Sequence, residues 1–131
     1  MRNLLKTWSI RARTLMMIME ASKSSLPNEF GAFLRAENGV IYEIAMLPGT
    51  IQGKTHTSFI LYNRPIDFQI VGSVHSHPSG NTRPSEADIS MFSNTGQIHI
   101  ITGYPYRLTD FSAYNRKSEK IDLRILGKQG V

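Results

Sequence analysis

The spacing of apolar and polar positions along this chain predicts two amphipathic helices. Between residues 11 and 24 apolar side chains recur every three or four positions, and Leu15, Ile18 and Met19 fall on one helical face. A second helix is expected from about 85 to 93, because a serine followed three residues later by an acid precedes an apolar run. That arrangement is close to a capping box and is typical of a helix N-terminus.

The remaining apolar runs are short, rich in β-branched and aromatic residues, and bounded by turn residues, so they predict strands. Asn38-Gly39 is the strongest hairpin signal in the chain. Residues 48–57 are expected to form a loop, and 63–67 a short helix or a loop. The polar turn 115–119 is expected to join the last two strands as a hairpin. The predicted strands span residues 6–10, 29–37, 40–47, 58–62, 68–77, 97–102, 111–114 and 121–125.

These elements predict an α/β domain of the α+β type, with a central mixed β-sheet flanked by the helices at about 11–24 and 85–93. The 131 residues, 40% of them hydrophobic, are enough for one domain over 1–131, in which 1–10 form an N-terminal extension or an edge strand. No apolar run approaches the roughly 20 residues of a membrane span. The N-terminus lacks the apolar core of a signal peptide, so a cytoplasmic protein without membrane association is expected.

Composition narrows the chemistry that a site could use. The chain has no cysteine, which excludes disulfides and thiolate metal sites and leaves histidine and carboxylate as candidate ligands. The net charge is +5. Basic residues gather before position 14 and again between 116 and 128, which fits either attraction to an acidic partner or an ordinary solvated surface.

One stretch combines residue types suited to a metal site. His75 and His77 lie two positions apart at the end of a predicted strand, so both imidazoles would point to the same side of the sheet. Pro78 ends the strand, and Asp88 would sit in the first turn of the following helix, after Ser85. Two neutral histidines and a carboxylate are ligands of catalytic zinc, which keeps its fourth position for water. The alternative is a capped helix beside two exposed loop histidines.

A zinc site with one open position indicates hydrolysis, which needs a general base to take a proton from water. Spacing alone does not choose among the carboxylates. His56 and His99 are interpreted as surface or structural residues, and His99 could alternatively support a ligand from behind. The candidate bases are Glu20, Glu29, Glu37, Glu43, Asp67 and Glu86.

The motif His75-Ser76-His77-Pro78, followed after six residues by Ser85-Glu86-Ala87-Asp88, resembles that of the JAMM (MPN+) zinc metalloproteases. The segment Pro27-Asn28-Glu29-Phe30 resembles the one that carries the glutamate of that family. The likeness is greatest to small archaeal stand-alone JAMM proteins and covers the chain roughly from Trp8 onward. It implies a cytidine-deaminase-like MPN domain.

The resemblance also implies roles for individual residues. His75, His77 and Asp88 would bind one zinc ion per chain, with water as the fourth ligand. Glu29 would act as general base and then as the acid that protonates the leaving amine, and Ser85 would donate a hydrogen bond to the oxyanion. Ala32 stands where many relatives carry glycine, and little consequence is expected from that difference.

By the same resemblance the chain would be an isopeptidase or peptidase that hydrolyses bonds at the C-terminus of ubiquitin-like modifier proteins or their conjugates. One alternative is a hydrolase that releases a product from a sulfur-carrier ubiquitin-like protein. Another is a nucleic-acid-associated module, because residues 75–88 also resemble the motif of the RadC family. Against that reading, no basic patch interleaved with aromatic residues is present. The sequence does not determine the modifier, the linkage or the oligomeric state.

Overall fold

Two helices lie where the apolar spacing predicts them. The computed structural model describes residues 7–46 and 69–127. Helix α1 spans Ala12–Ser25 and helix α2 spans Glu86–Asn94, each within one residue of its predicted bounds. Neither of these described helices is long and apolar enough to cross a membrane.

The described strands form one mixed sheet, so the expected α+β fold is confirmed. Its strand order is β7-β6-β5-β4-β2-β3-β1-β8. Strand β4 lies near the middle, between antiparallel β2 and parallel β5. The strands are β1 (Trp8–Arg11), β2 (Gly31–Glu37), β3 (Val40–Ala45), β4 (Ile70–His77), β5 (Ile98–Gly103), β6 (Phe111–Asn115), β7 (Lys120–Ile121) and β8 (Leu123–Leu126).

Most predicted strands are present, with small shifts at their ends. The hairpin at Asn38-Gly39 is confirmed, since both residues have positive φ (53° and 79°) and β2 pairs antiparallel with β3. Strand β2 begins at Gly31, two residues later than predicted. The predictions for 48–57, 58–62 and 63–67 lie outside the described residues.

The predicted hairpin between 111–114 and 121–125 is wrong for most of its length. Only β7 pairs with β6, and β8 pairs parallel with β1 instead. Asp122 alone separates β7 from β8, although they are the two ends of the strand order. Two residues of chain span at most about 7 Å, so the sheet must curl until its two ends approach each other. The pairing of β8 therefore depends on this curvature, which no local pattern encodes.

The two helices cover opposite faces of the sheet, and this arrangement separates the side chains of β4. Val74 belongs to the larger core cluster, with Ile18 of α1. His75, one position later, lies on the other face, where its ring is 6.4 Å from that of Phe92 in α2. Alternation along β4 thus turns His75 and His77 towards α2 and Ser76 towards the side of α1.

Candidate metal centre

The two histidines of the motif lie in the last three residues of strand β4. His75 is 2% exposed and pairs with Gly31 of β2 and Ile101 of β5, so strands on both sides fix its backbone. His77 is the last residue of β4, and its carbonyl accepts a hydrogen bond from Gly80 N at 3.0 Å in the turn that follows. The predicted end of the strand after His77 is confirmed.

Asp88 is held in place by the cap of α2. Ser85 is the N-cap residue, and its Oγ accepts a hydrogen bond from Asp88 N at 3.1 Å. In return, Ser85 N donates to Asp88 Oδ2 at 2.8 Å, which completes a capping box. Asp88 is 3% exposed. The cap therefore directs Asp88 into the interior, towards the face of β4 that carries the histidines.

These three side chains converge on one point. Their ligand atoms all lie within 4.8 Å of one another. His75 Nε2 is 3.0 Å from Asp88 Oδ1, and His77 Nε2 is 3.3 Å from Asp88 Oδ2. Ligands about 2.0–2.1 Å from a tetrahedral zinc ion are about 3.3 Å apart, so the donor set and its spacing fit zinc.

The contacts of His77 present its other ring nitrogen to the site. Asn81 O lies 2.6 Å from His77 Nδ1. A carbonyl only accepts, so Nδ1 carries the proton and donates it. The lone pair of Nε2, the atom that faces Asp88, becomes available to a cation once that nitrogen gives up the proton that it donates to Asp88. Asn81 contributes through its backbone carbonyl, which explains why no sequence signal could have identified it.

The electrostatics of the cluster favour an ionised carboxylate. Burial acts to raise the pKa of Asp88, but hydrogen bonds from His75 and His77 outweigh it and hold that pKa far below its usual range. The pKa of His77 is raised: burial lowers it, but the hydrogen bonds to Asp88 and to the Asn81 carbonyl, together with the charges of Asp88 and Glu29, more than compensate. A cluster of this polarity is suited to a cation.

Glu29 lies beside the cluster, in the short segment between α1 and β2. It is half-buried, and its charge acts on the pKa of His77. The next residue, Phe30, is bonded to β4 through both of its backbone polar groups. Phe30 N donates to Ser76 Oγ at 2.8 Å, and Ser76 N donates to Phe30 O at 2.9 Å. Because Phe30 pairs with Ser76, Glu29 lies beside the C-terminal end of β4.

The other candidate bases have different surroundings. Glu20 is exposed and pairs with Lys23 at 3.4 Å on α1, and Glu43 pairs with Arg35 at 3.4 Å on β3. Asp67 lies outside the described residues. The remaining two candidates are exposed residues, Glu37 and Glu86. Of the candidate bases that the structure describes, Glu29 is the one whose position best suits a base.

Ser85 is exposed at the start of α2, and its oxygen serves the helix cap as an acceptor. A hydroxyl group has one donor and two acceptor positions, so capping does not use its proton. Ser85 can therefore cap the helix and donate to a reacting oxygen at once. Its predicted oxyanion role stays a prediction.

His99 is a buried structural residue that supports the site from behind. Its Nε2 donates to Gly96 O at 3.1 Å, and its Nδ1 accepts from Ser73 Oγ at 2.8 Å. The ring stacks on Phe92 with centroids 4.3 Å apart. Phe92 in turn contacts His75. Burial lowers the pKa of His99 to about 4, so the ring is neutral. His56 lies outside the described residues.

Ser76 is a functional candidate that the sequence reasoning did not single out. It lies between the two histidines but faces the opposite side of the sheet, where it is fully buried. The sequence signal that could have identified Ser76 is its position on the opposite face of the strand, between two candidate ligands. Its bonds to Phe30 depend on a pairing that is distant in sequence.

Known proteins match most of this chain in sequence. Residues 11–117 match the family model of prokaryotic homologues of the JAB domain. A curated relative from Haloferax volcanii, described as a probable metalloprotease, is 36% identical over 127 residues, which cover 89% of this chain and 78% of the relative.

Two solved structures are similar in both fold and sequence. One, described as JAMM, a metalloprotease-like zinc site in the proteasome and signalosome, has a TM-score of 0.74 and 36% identity, and the match covers 92% of this chain and 99% of the other. A JAB1/MPN domain protein from Archaeoglobus fulgidus has a TM-score of 0.74 and 38% identity, with coverage of 91% and 99%.

Proposed function

Because this chain belongs to the JAB/JAMM family, as its motif and its relatives establish, we propose that it hydrolyses peptide or isopeptide bonds at the C-terminus of ubiquitin-like modifier proteins. The family and the metal centre support a zinc-dependent metalloprotease, whatever its substrate. The observation that carries the proposal is the convergence of His75, His77 and Asp88 beside Glu29.

In this proposal each residue has a distinct task. His75, His77 and Asp88 would hold a zinc ion, which would supply Lewis-acid polarisation of the scissile carbonyl. Glu29 takes a proton from the attacking water as the water oxygen bonds to the carbonyl carbon. Ser85 donates to the developing oxyanion. Glu29 then delivers the proton to the leaving nitrogen as the C–N bond breaks, which yields a carboxylate and an amine.

The charge of the chain supports the substrate class. A net charge of +5 suits an acidic modifier. Several of the responsible bases are exposed on or beside strands β6 to β8: Arg116, Lys117, Lys120 and Arg124. A cytoplasmic location belongs to the same proposal. A hydrolase acting on a sulfur-carrier protein would use the same bond chemistry, so substrate comparison must separate the two.

The proposal can be tested by comparing Glu29→Gln with Glu20→Gln, a matched removal of an exposed carboxylate on α1. The probe is ubiquitin with a fluorogenic amide at its C-terminus, compared with the same amide on a short peptide and on a sulfur-carrier protein. We expect Glu29→Gln to keep about one zinc per chain and to lose about 10²–10⁴-fold in kcat, while Glu20→Gln matches the wild type.

Two outcomes would contradict parts of the proposal separately. Full activity in Glu29→Gln would remove Glu29 as the base. Cleavage of the carrier-protein amide but not of the ubiquitin amide would leave the metalloprotease in place and favour the sulfur-carrier alternative.

A further inference from the structure

Ser76 connects the metal-binding strand to the segment that carries Glu29. It lies between His75 and His77 and is fully buried on the side of the sheet that faces away from them. Its side chain therefore cannot bind the same ion as its two neighbours. A buried hydroxyl needs hydrogen-bond partners, and those of Ser76 indicate what it does.

The partner of Ser76 is the backbone of Phe30. Strands β2 and β4 pair in register as far as Gly31 and His75. Beyond that pair, Ser76 N donates to Phe30 O at 2.9 Å, and Phe30 N donates to Ser76 Oγ at 2.8 Å. The Ser76 hydroxyl thus takes the place of the next backbone acceptor of β4. It holds Phe30, the residue just before the start of β2, against β4.

Glu29 precedes Phe30 directly, so the position of its backbone depends on these two bonds. The chain before it belongs to no helix or strand, since α1 ends at Ser25 and β2 starts at Gly31. Phe30 itself is buried, with 3% of its surface exposed. The bonds to Ser76 are therefore tertiary hydrogen bonds made one residue away from Glu29 in the chain.

Tyr106 is a buried residue whose pKa depends on both Ser76 and Glu29. It is 1% exposed and adopts a φ of 67°, a left-handed conformation that costs a tyrosine about 1–2 kcal/mol. Burial raises its pKa, the Ser76 hydroxyl acts in the opposite direction, and the charge of Glu29 adds to the rise. The pKa of this buried phenol thus responds both to Ser76 and to Glu29.

We propose that Ser76 is a positioning residue, which acts on the reaction through Glu29 by fixing the backbone of Phe30. The inference rests on the proposed role of Glu29 as general base. Without the hydroxyl, Phe30 N loses its acceptor in a buried setting, and the segment can shift. A displacement of about 1 Å in a reacting group costs on the order of 10²-fold in rate.

A double-mutant cycle tests this coupling. The variants are Ser76→Ala, Glu29→Gln and the double variant, assayed with the ubiquitin amide together with zinc content. We expect Ser76→Ala to retain zinc and KM while kcat falls about 10- to 100-fold. In the Glu29→Gln background the same change should cost less than about twofold, because the residue through which Ser76 acts is already absent.

A matched control removes a buried hydroxyl far from Glu29. Thr14 Oγ1 donates to Tyr42 O at 2.8 Å on β3, which is the second neighbour of β4 in the sheet. Thr14→Val should lower stability to a similar extent as Ser76→Ala and leave kcat unchanged. If Ser76→Ala does not fold, Ser76→Cys keeps the approximate volume with a weaker acceptor, and the same cycle is measured with it.

The outcomes are distinguishable. An equal loss of kcat from the Ser76 change in both backgrounds, or loss of zinc in the Ser76 variant, would overturn the positioning role while leaving the proposed function intact. Full activity of Glu29→Gln would instead remove the general base on which the inference rests.

Discussion

The stability of this chain should depend on pH through His99, a neutral histidine in the core. The ring has no exposed surface, stacks on Phe92, and has both nitrogens bonded, to Ser73 and Gly96. Protonation would force Nδ1 to donate where it now accepts. Burial is the main cause that lowers its pKa to about 4, and the charges of His75 and Arg116 act in the same direction.

The sign and size of the effect follow from linkage. The unfolded chain has an ordinary histidine pKa of 6.5, so below that pH it binds a proton that the folded chain resists. The contribution of neutral His99 to stability is therefore fully present above about pH 6.5 and is lost as the pH falls towards 4. For these two pKa values the loss is about 2 kcal/mol between pH 7 and 5 and about 3 kcal/mol by pH 4.

The assay compares the wild type with His99→Gln, which cannot ionise. Urea unfolding is followed at pH 7, 6, 5 and 4 with a chelator present, so that loss of metal does not enter. Other titrating groups, including His77 with its raised pKa and Asp88 with its lowered one, are common to both chains and cancel in the difference. We expect the variant to be less stable at pH 7 but to lose about 2 kcal/mol less than the wild type by pH 5. Equal losses in the two chains would refute the reasoning.

Two further predictions concern the ligand set and the packing of β4. Asp88→Asn should preserve the helix cap, because an amide oxygen still accepts from Ser85 N, but bound zinc should fall below about one tenth per chain in metal analysis after dialysis. Asp110→Asn, a change in a surface ion pair, is the control, and equal zinc in both variants would contradict the assignment. Gly72→Ala should cost about 3 kcal/mol or more, because a Cβ there would collide with the carbonyl oxygen of Ile98 on β5. Cooperative unfolding with a loss below about 1 kcal/mol would show that the strands can separate to admit it.

Local chemistry made several elements predictable. The hairpin at Asn38-Gly39 requires positive φ at both residues, which these two types adopt at low cost. The start of α2 follows from Ser85 and Asp88, because each satisfies a backbone N–H of the other. In both places the sequence signal and the structural cause lie within four residues, so the outcome did not depend on a distant contact.

The failure at 121–125 has the opposite origin. Ile121 pairs with Ala113 as the hairpin expectation requires, but Leu123 pairs with Trp8. The period-two pattern is the same on both sides of Asp122. A strand pattern states which face is buried but not which neighbour supplies the hydrogen bonds, and the curl of the sheet decided that here.

The candidate site divides in the same way. The sequence by itself determined that His75 and His77 share a face of a strand and that Asp88 opens a helix behind a serine cap, because spacings of two and three residues fix those relations. Only the tertiary structure decided that the two meet within 4.8 Å, that Glu29 lies beside His77, and that His99 is a core residue. Glu29 is 48 positions from His77, and nothing local relates them. Their proximity arises from the antiparallel pairing of β2 with β4 and from the bonds of Ser76 to Phe30, which exist only once the sheet has formed.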